Sequence, residues 1–199
     1  MKLYVLLSPA VTGLSMLGLL GSFTLTGIPS SSSEDPVLKS LSQSKHSLVD
    51  GIHQVSSSSE VAISAKFEVE DGKLSLSVYT AEKGLGVEAE HNVLKEFAGD
   101  PASESWKPEI EVFKDVEHVS RASEQLTLMA ISSVSLADIV RKAAKDQPGT
   151  VYSITPSLRD RKAMFIVLVA DKDKTVELAY DLASGEAIKP KKDSGYSRK

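Results

Sequence analysis

The sequence predicts an α+β protein made of two tandem αβββ units, each a helix packed on a small antiparallel sheet, joined by a helical connector. The first observation is a repeat: the stretches that begin at Ser47 and Ser135 both read Ser-Leu-x-Asp and continue with apolar residues at helical spacing. The second is that each helical pattern is followed by apolar runs separated by short turns. Such runs are typical of antiparallel hairpins.

The N-terminal segment carries one charged residue, Lys2, before Glu34. Residues 1–27 are therefore predicted to be a secretory signal peptide, which their length favours, or an N-terminal membrane anchor. Either interpretation predicts export to a periplasmic or extracellular location, and an anchor would hold the protein at the membrane through residues 3–27. Residues 28–45, which include "IPSSSSEDP", are predicted to be a linker that can contain a helix.

The earlier unit is predicted over residues 46–113. Ser47 and Asp50 have the spacing of a capping box at the start of its helix, and Asp71-Gly72 is a hairpin signal between its first two strands. The predicted apolar face of the helix consists of Leu48, Ile52 and Val55. The predicted inward residues of the two strands are Val61, Ile63, Ala65, Phe67, Val69, Leu74, Leu76 and Val78. A third strand is expected around "AEHNVLKEF".

A short strand from Ile110 to Phe113 and a connecting helix over residues 114–133 are predicted to link the two units. The connecting helix is indicated by apolar residues at roughly helical spacing, namely Val116, Val119, Leu126 and Met129. Trp106 is expected to cover the seam between the units, with stacking against a ligand as the alternative.

The later unit is predicted over residues 134–189, followed by a disordered basic tail over 190–199. Ser135 and Asp138 repeat the capping-box spacing, and Pro148-Gly149 ends the helix. The predicted apolar helix face consists of Leu136, Ile139, Val140, Ala143 and Ala144. Three strands are predicted in "TVYSITPSL", "AMFIVLVA" and "TVELAYDL", with Tyr152, Ile154 and Leu158 on one face of the first. The unbroken apolar run of the second predicts a strand buried on both faces.

The later unit resembles the PepSY domain over about residues 134 to 189. The residues that carry the resemblance are Ser135-Leu136, Pro148-Gly149, and Asp181 with Ser184-Gly185. Residues 46 to 100 are a degenerate match that lacks the Pro-Gly stop. The resemblance implies an exported bacterial module that binds or inhibits a protein partner, such as a peptidase, without catalysis of its own. The free sheet edge of the later unit is the expected place for that partner.

Composition and motifs exclude several functional classes. The chain has no cysteine, which excludes disulfides and cysteine nucleophiles, and its net charge of −4 argues against nucleic-acid binding. Nucleotide-binding, hydrolase and zinc-peptidase motifs are absent from the sequence. We therefore predict a non-enzymatic protein with no catalytic, cofactor or metal site, whose partner is a protein or peptide. The alternative is a membrane-tethered structural or sensory subunit of an envelope complex.

Three sets of polar residues have a spacing that could indicate a functional site. His46, Asp50 and His53 could form a metal set only if one helix ran through all three, and solvated polar residues are the expected outcome. The pairs Glu68/Glu70 and Asp171/Asp173 are expected on strand edges and turns, where they would serve solubility.

Overall fold

The strands of this chain form one antiparallel sheet in the computed structural model, which describes residues 35–57 and 59–189. The seven strands are β1 (Val61–Glu70), β2 (Lys73–Ala81), β3 (Leu94–Gly99), β4 (Glu109–Val112), β5 (Thr150–Arg159), β6 (Lys162–Asp171) and β7 (Lys174–Asp181). Their order across the sheet is β4-β3-β2-β1-β5-β6-β7. The α+β class predicted from the sequence is confirmed.

Four α-helices accompany the sheet in the described part of the chain. They are α1 (Pro36–Ser40), α2 (Leu48–Val55), α3 (Val116–Ala130) and α4 (Leu136–Asp146). Helix α1 and a short 3₁₀ turn at Leu41–Gln43 lie in the predicted linker, whose first residues are outside the described range, as are the predicted signal segment and basic tail.

The two small sheets expected from the sequence are in fact one sheet. Strand β1 pairs with β5, with Ala65 opposite Ile154 and Lys66 opposite Ser153. Ala65 and Ile154 are 1% and 0% exposed. Two separate three-stranded sheets would have left this apolar pair on open edges. Pairing β1 with β5 buries that apolar surface and also gives the edge N–H and C=O groups hydrogen-bond partners.

Helices α2 and α4 pack on one face of the sheet. Gly51 of α2 lies so close to the sheet that an added Cβ would be 2.9 Å from Leu76 and 3.3 Å from Val78. On α4, Asp146 accepts a 3.0 Å hydrogen bond from the hydroxyl of Tyr180. We call this the α2/α4 face.

Helix α3 packs on the opposite face, which we call the α3 face. The hydroxyl of Ser64 in β1 donates a 2.8 Å hydrogen bond to Gln125 of α3, and both residues are buried. Ser64 is paired with Tyr79 in β2. Since side chains alternate along a strand, Tyr79 faces α3 whereas Val78 faces α2.

The start and end of each repeated helix follow the sequence signals closely. Ser47 and Asp50 form the complete capping box of α2. In α4 the Asp138 carboxylate bonds to the Ser135 hydroxyl, and the described contacts include no bond back to the Ser135 N–H. Gly149 follows α4 at a φ of +131°, where a Cβ would lie 2.2 Å from the carbonyl oxygen of Ala170, so only glycine fits.

The predicted core needs three corrections at helix and strand ends. Ala144 is exposed because α4 presents Leu136, Ala137, Ile139, Val140 and Ala143 to the core instead. Val116 is 86% exposed and Val119 36%, since α3 is anchored by its second half, including Leu126 and Met129. Leu158 is 57% exposed near the end of β5.

Trp106 lies inside the earlier unit and does not cover a seam. Its carbonyl oxygen accepts a 2.8 Å hydrogen bond from Gln54 of α2, and its indole lies against Gly99 of β3. Only 1% of the residue is exposed, which leaves no ring face for a ligand.

The interior strand of the later unit is confirmed. Strand β6 has six buried residues, more than either β5 or β7, and Phe165, Val167 and Val169 are fully buried. It pairs with β5 on one side and β7 on the other, which explains its unbroken apolar sequence.

Candidate partner-binding edge of the sheet

The three residues of the possible metal set do not converge on one point. His46 Nε2 bonds to the carbonyl oxygen of Ser103 at 2.9 Å. Asp50 is held by Ser47 in the capping box, and hydrogen bonds from Ser47 lower the pKa of its carboxyl. His53 Nε2 accepts a 2.8 Å hydrogen bond from Arg141 of α4. Each side chain is therefore occupied by a different structural contact.

Another group of possible metal ligands lies on the loop between β2 and β3. Glu88, Glu90 and His91 can bring one ligand atom each within 4.8 Å of one another, and all three are exposed. Exposed side chains of this kind are common in loops and carry no metal-site assignment without a further observation.

The carboxylate pairs Asp171/Asp173 and Glu68/Glu70 occupy different positions in the sheet. Asp171 ends β6 and Asp173 lies in the turn to β7, as expected. Glu68 and Glu70, however, belong to β1 in the centre of the sheet, so the expectation of an edge position is wrong for them. Glu68 forms a short contact with Lys66 and accepts a 2.8 Å hydrogen bond from Ser77.

The edge formed by β7 is partly closed by the chain itself. The N–H of Ile188 donates to Ala179 and that of Asp181 donates to Glu186, each at 2.8 Å. The segment after β7 thus covers the last residues of the strand and leaves residues 174–178 open. This edge of the later unit is the one at which the sequence led us to expect a partner.

The edge formed by β4 is open along its whole length in the described part of the chain. The N–H of Phe113 donates to Leu94 of β3 at 3.0 Å, so the backbone groups of Phe113 point into the sheet. Because this direction alternates along an antiparallel strand, the N–H and C=O groups of Ile110 and Val112 point away from β3. Two donors and two acceptors therefore face outward along this edge.

Apolar side chains are exposed along and beside β4. Six large apolar residues are exposed in the described ranges, and four of them lie between residues 110 and 119. Ile110 is 60% exposed and Val112 is 42% exposed. Along this four-residue edge strand, Ile110 and Val112 alternate with the exposed Glu109 and Glu111, so charge protects one face of the edge while the other face presents exposed apolar side chains.

A wide groove with an acidic lining adjoins β4. It has a volume of about 630 Å³. Its charged lining residues are Glu70, Asp71, Glu96, Asp100, Glu109 and Glu111, with Lys73 and Lys107. We call this the acidic groove. Cross-strand pairing of Glu96 with Glu111 and of Ala98 with Glu109 places the β4 glutamates on the α3 face.

Within the described part of the chain, the carboxylates of the acidic groove form no ion pairs. None of the six takes part in an ion pair within 4.0 Å among residues 35–57 and 59–189. Burial, followed by the negative charges of Glu68 and Glu96, raises the pKa of Glu70 above its usual value of 4.5. Burial and the same two glutamates also raise the pKa of Tyr79. The groove is thus a region of negative potential.

Aromatic contacts fix the chain where it leaves β4. The Phe113 ring centroid lies 5.7 Å from that of Tyr79 and 5.2 Å from that of His118, which is stacked on it. Asp115 caps α3 by accepting a 3.0 Å bond from the N–H of His118. These contacts hold β4 against β3 without covering its outer edge.

Comparisons with known proteins do not assign a family or a function to this chain. No family model matches the chain, and no curated protein matches it. One solved structure with a similar arrangement is a candidate lipoprotein from Clostridium difficile 630, at 12% identity and a TM-score of 0.35, over 64% of this chain and 79% of that one. A likeness this distant carries no conclusion about function. Within the described residues, no helix is long and apolar enough to span a membrane.

Sequence reasoning did not single out the outer edge of β4. It predicted a short strand there, but its partner strand and its position at the edge depend on long-range pairing. The available signal was the Glu-Ile-Glu-Val alternation of residues 109–112, which places two apolar and two acidic side chains on opposite faces of one strand.

Proposed function

We propose that this protein is an exported, non-enzymatic, PepSY-like binding module that takes up an extended segment of a protein partner as an additional strand beside β4. The observation that carries the proposal is the open edge at Ile110 and Val112, where free backbone groups and exposed apolar side chains occur together. Strand addition uses such backbone groups for affinity and the alternating side chains for specificity.

The contrast between the two edges supports this choice. The chain covers the last residues of β7 with its own Glu186–Ile188 segment, whereas no described residue covers β4. The apolar face of an open edge is an aggregation hazard in a free protein; the two glutamates of β4 reduce that hazard, and pairing with a partner removes it. The open residues 174–178 of β7 are the second candidate edge.

We further propose that the chain contains two tandem αβββ units related by duplication. The order α2-β1-β2-β3 is matched by α4-β5-β6-β7, and irregularities interrupt the pairing at Ala62/Ser64 in β1 and Val151/Ser153 in β5. Superposing residues 47–97 on 135–186 tests this. Helices that fall on opposite faces of the superposed strands would contradict duplication.

Export and the absence of catalysis belong to the proposal as well. Export rests on the sequence of residues 1–27, and the alternative of a membrane-tethered structural or sensory subunit rests on the same segment. Mass spectrometry of the native N-terminus separates the two, because a retained Met1 or Lys2 indicates an anchor. Turnover of casein or of generic esters that follows the protein peak through purification would contradict a non-enzymatic role.

The decisive test of the binding edge is the substitution Ile110→Pro in the full-length chain. Proline removes the outward N–H at this position and leaves the β3–β4 hydrogen bonds in place. Peptides selected for binding from a random eight-residue library should lose affinity for this variant. The matched control is Glu177→Pro, which removes an outward backbone N–H from the open part of β7. This variant should bind the selected peptides as well as the parent protein does.

Two results would overturn the assignment to β4. One is selected peptides that bind Ile110→Pro as well as the parent protein. The other is selected peptides that lose affinity only for Glu177→Pro, which would move the site to β7. A thermal unfolding curve for each variant shows whether a loss of binding comes from a loss of fold.

A further inference from the structure

We infer that the segment taken up at β4 alternates basic and apolar residues, an inference that rests on the function proposed above. The edge strand itself sets this pattern. Glu109 and Glu111 project to the α3 face, while Ile110 and Val112 project to the α2/α4 face. A strand added beside β4 must place its own side chains alternately on the same two faces.

On the α3 face the added strand meets the acidic groove. The groove contains six carboxylates against two lysines, an excess of four negative charges, and none of those carboxylates forms an ion pair with another described residue. Basic side chains at every second position of the partner would lie beside Glu109 and Glu111 and reach towards Glu96. Opposite charges on neighbouring strands stabilise pairing, whereas like charges destabilise it.

On the other face the added strand meets an apolar surface. Ile110 and Val112 are 60% and 42% exposed, so apolar surface that a neighbouring side chain could cover is in contact with water before binding. Covering it with valine or isoleucine side chains removes that surface from water. The two faces together demand alternation, which neither a uniformly basic nor a uniformly apolar segment provides.

A second copy of this chain does not fit the edge well. Antiparallel pairing of β4 with β4 through the outward groups places Ile110 opposite Val112 and Glu111 opposite Glu111 of the other copy. Two glutamates would then face each other beside the acidic groove, and like charges at opposed positions are unfavourable. The charge pattern therefore favours a partner of opposite sign over self-association.

The experiment uses three synthetic peptides and the full-length chain. The first peptide is acetyl-Lys-Val-Lys-Ile-Lys-Val-amide, the second replaces each lysine with glutamate, and the third has the composition of the first with its lysines made contiguous. Affinity is measured by fluorescence anisotropy at low and at physiological salt. We expect the alternating lysine peptide to bind at least about tenfold more tightly than either of the others, and more tightly at low salt.

Charge reversal on the protein supplies the matched comparison. In Glu109→Lys/Glu111→Lys the acidic groove would hold four carboxylates and four lysines, so the preference for the lysine peptide should be lost. Glu88→Lys/Glu90→Lys changes the net charge equally on the exposed loop between β2 and β3, outside the lining of the acidic groove, and should retain the lysine preference.

The outcomes separate this inference from the proposed function. Equal binding of the lysine and glutamate peptides, lost in Ile110→Pro, would overturn the charge pattern and leave strand addition at β4 intact. A lysine preference that survives Glu109→Lys/Glu111→Lys would also overturn it. Binding of the lysine peptide that is indifferent to Ile110→Pro, or no binding of any peptide, would contradict both the inference and the function on which it rests.

Discussion

Asp50 and Ser47 hold the first turn of α2 through a reciprocal pair of hydrogen bonds. The Asp50 carboxylate accepts from the N–H of Ser47 at 2.8 Å, and the Ser47 hydroxyl accepts from the N–H of Asp50 at 3.2 Å. These bonds satisfy backbone groups that a helix start would otherwise leave without partners. The role of Asp50 is thus structural, and the neighbouring histidines His46 and His53 are engaged elsewhere.

The substitution Asp50→Asn tests this at the level of the residue. Hydrogen bonds from Ser47 lower the pKa of Asp50 below 3.8, so its charged form stabilises the folded state at neutral pH. That contribution is complete well above pH 3.8 and is lost as the pH falls through the lowered folded-state pKa. Urea unfolding should therefore show a lower free energy of unfolding for the variant than for the parent at pH 7, and the difference should shrink towards pH 3.

The control for this prediction is Ser47→Ala, which removes the hydroxyl half of the box. It should cost about 1 kcal/mol at pH 7, as expected for loss of a helix cap. A deficit for Asp50→Asn that is the same at both pH values would contradict the role assigned to the charged carboxylate.

At the level of the elements, local patterns predicted most of the strands and helices but not how the strands join. The alternation after Asp71-Gly72 and the capping signals at Ser47 and Ser135 are local, and each defined its element. The pairing of β1 with β5 is long-range, and no residue spacing encodes it. For the same reason the sequence did not predict the proposed binding edge, because the position of β4 at an edge depends on the order of all seven strands.

Strand β6 offers the clearest test of an element predicted from sequence. Ile166 is 6% exposed within it, so Ile166→Asp would bury a charge for which the strand provides no partner. Such a charge costs several kcal/mol against a typical total stability of about 5–15 kcal/mol. We expect the variant to fail to accumulate as soluble protein.

The matched control is Leu158→Asp in the adjacent strand β5. Leu158 is 57% exposed, and an aspartate there remains in water, so solubility and melting temperature should change little. Soluble Ile166→Asp protein with the parent melting temperature would show that β6 is not the interior strand described above.

At the scale of the whole described region, the two halves share a sheet and a core. Residues from α2, α4, β1 and β5 belong to one apolar cluster, and His53 of α2 bonds to Arg141 of α4 across the helices. Separate unfolding of either half would expose the buried pair of Ala65 and Ile154. The two halves should therefore unfold together.

Unfolding followed by two probes checks this. Trp106, the only tryptophan of the sequence, reports on the earlier half by fluorescence, and amide exchange of β6 reports on the later half. Both should give the same urea midpoint in a single transition. Two midpoints would indicate units that are stable independently, with the β1–β5 pairing contributing little.

The central claim is that β4 is an open edge that accepts a further strand, and amide hydrogen exchange measures this most directly. In the free protein the N–H groups of Ile110 and Val112 point outward and should exchange quickly, whereas that of Glu111 points towards β3 and should exchange slowly. Saturation with the alternating lysine peptide should protect Ile110 and Val112 and leave Thr175 and Glu177 of β7 unchanged. Protection confined to β7, or none at Ile110 and Val112 when the peptide is bound, would contradict the account.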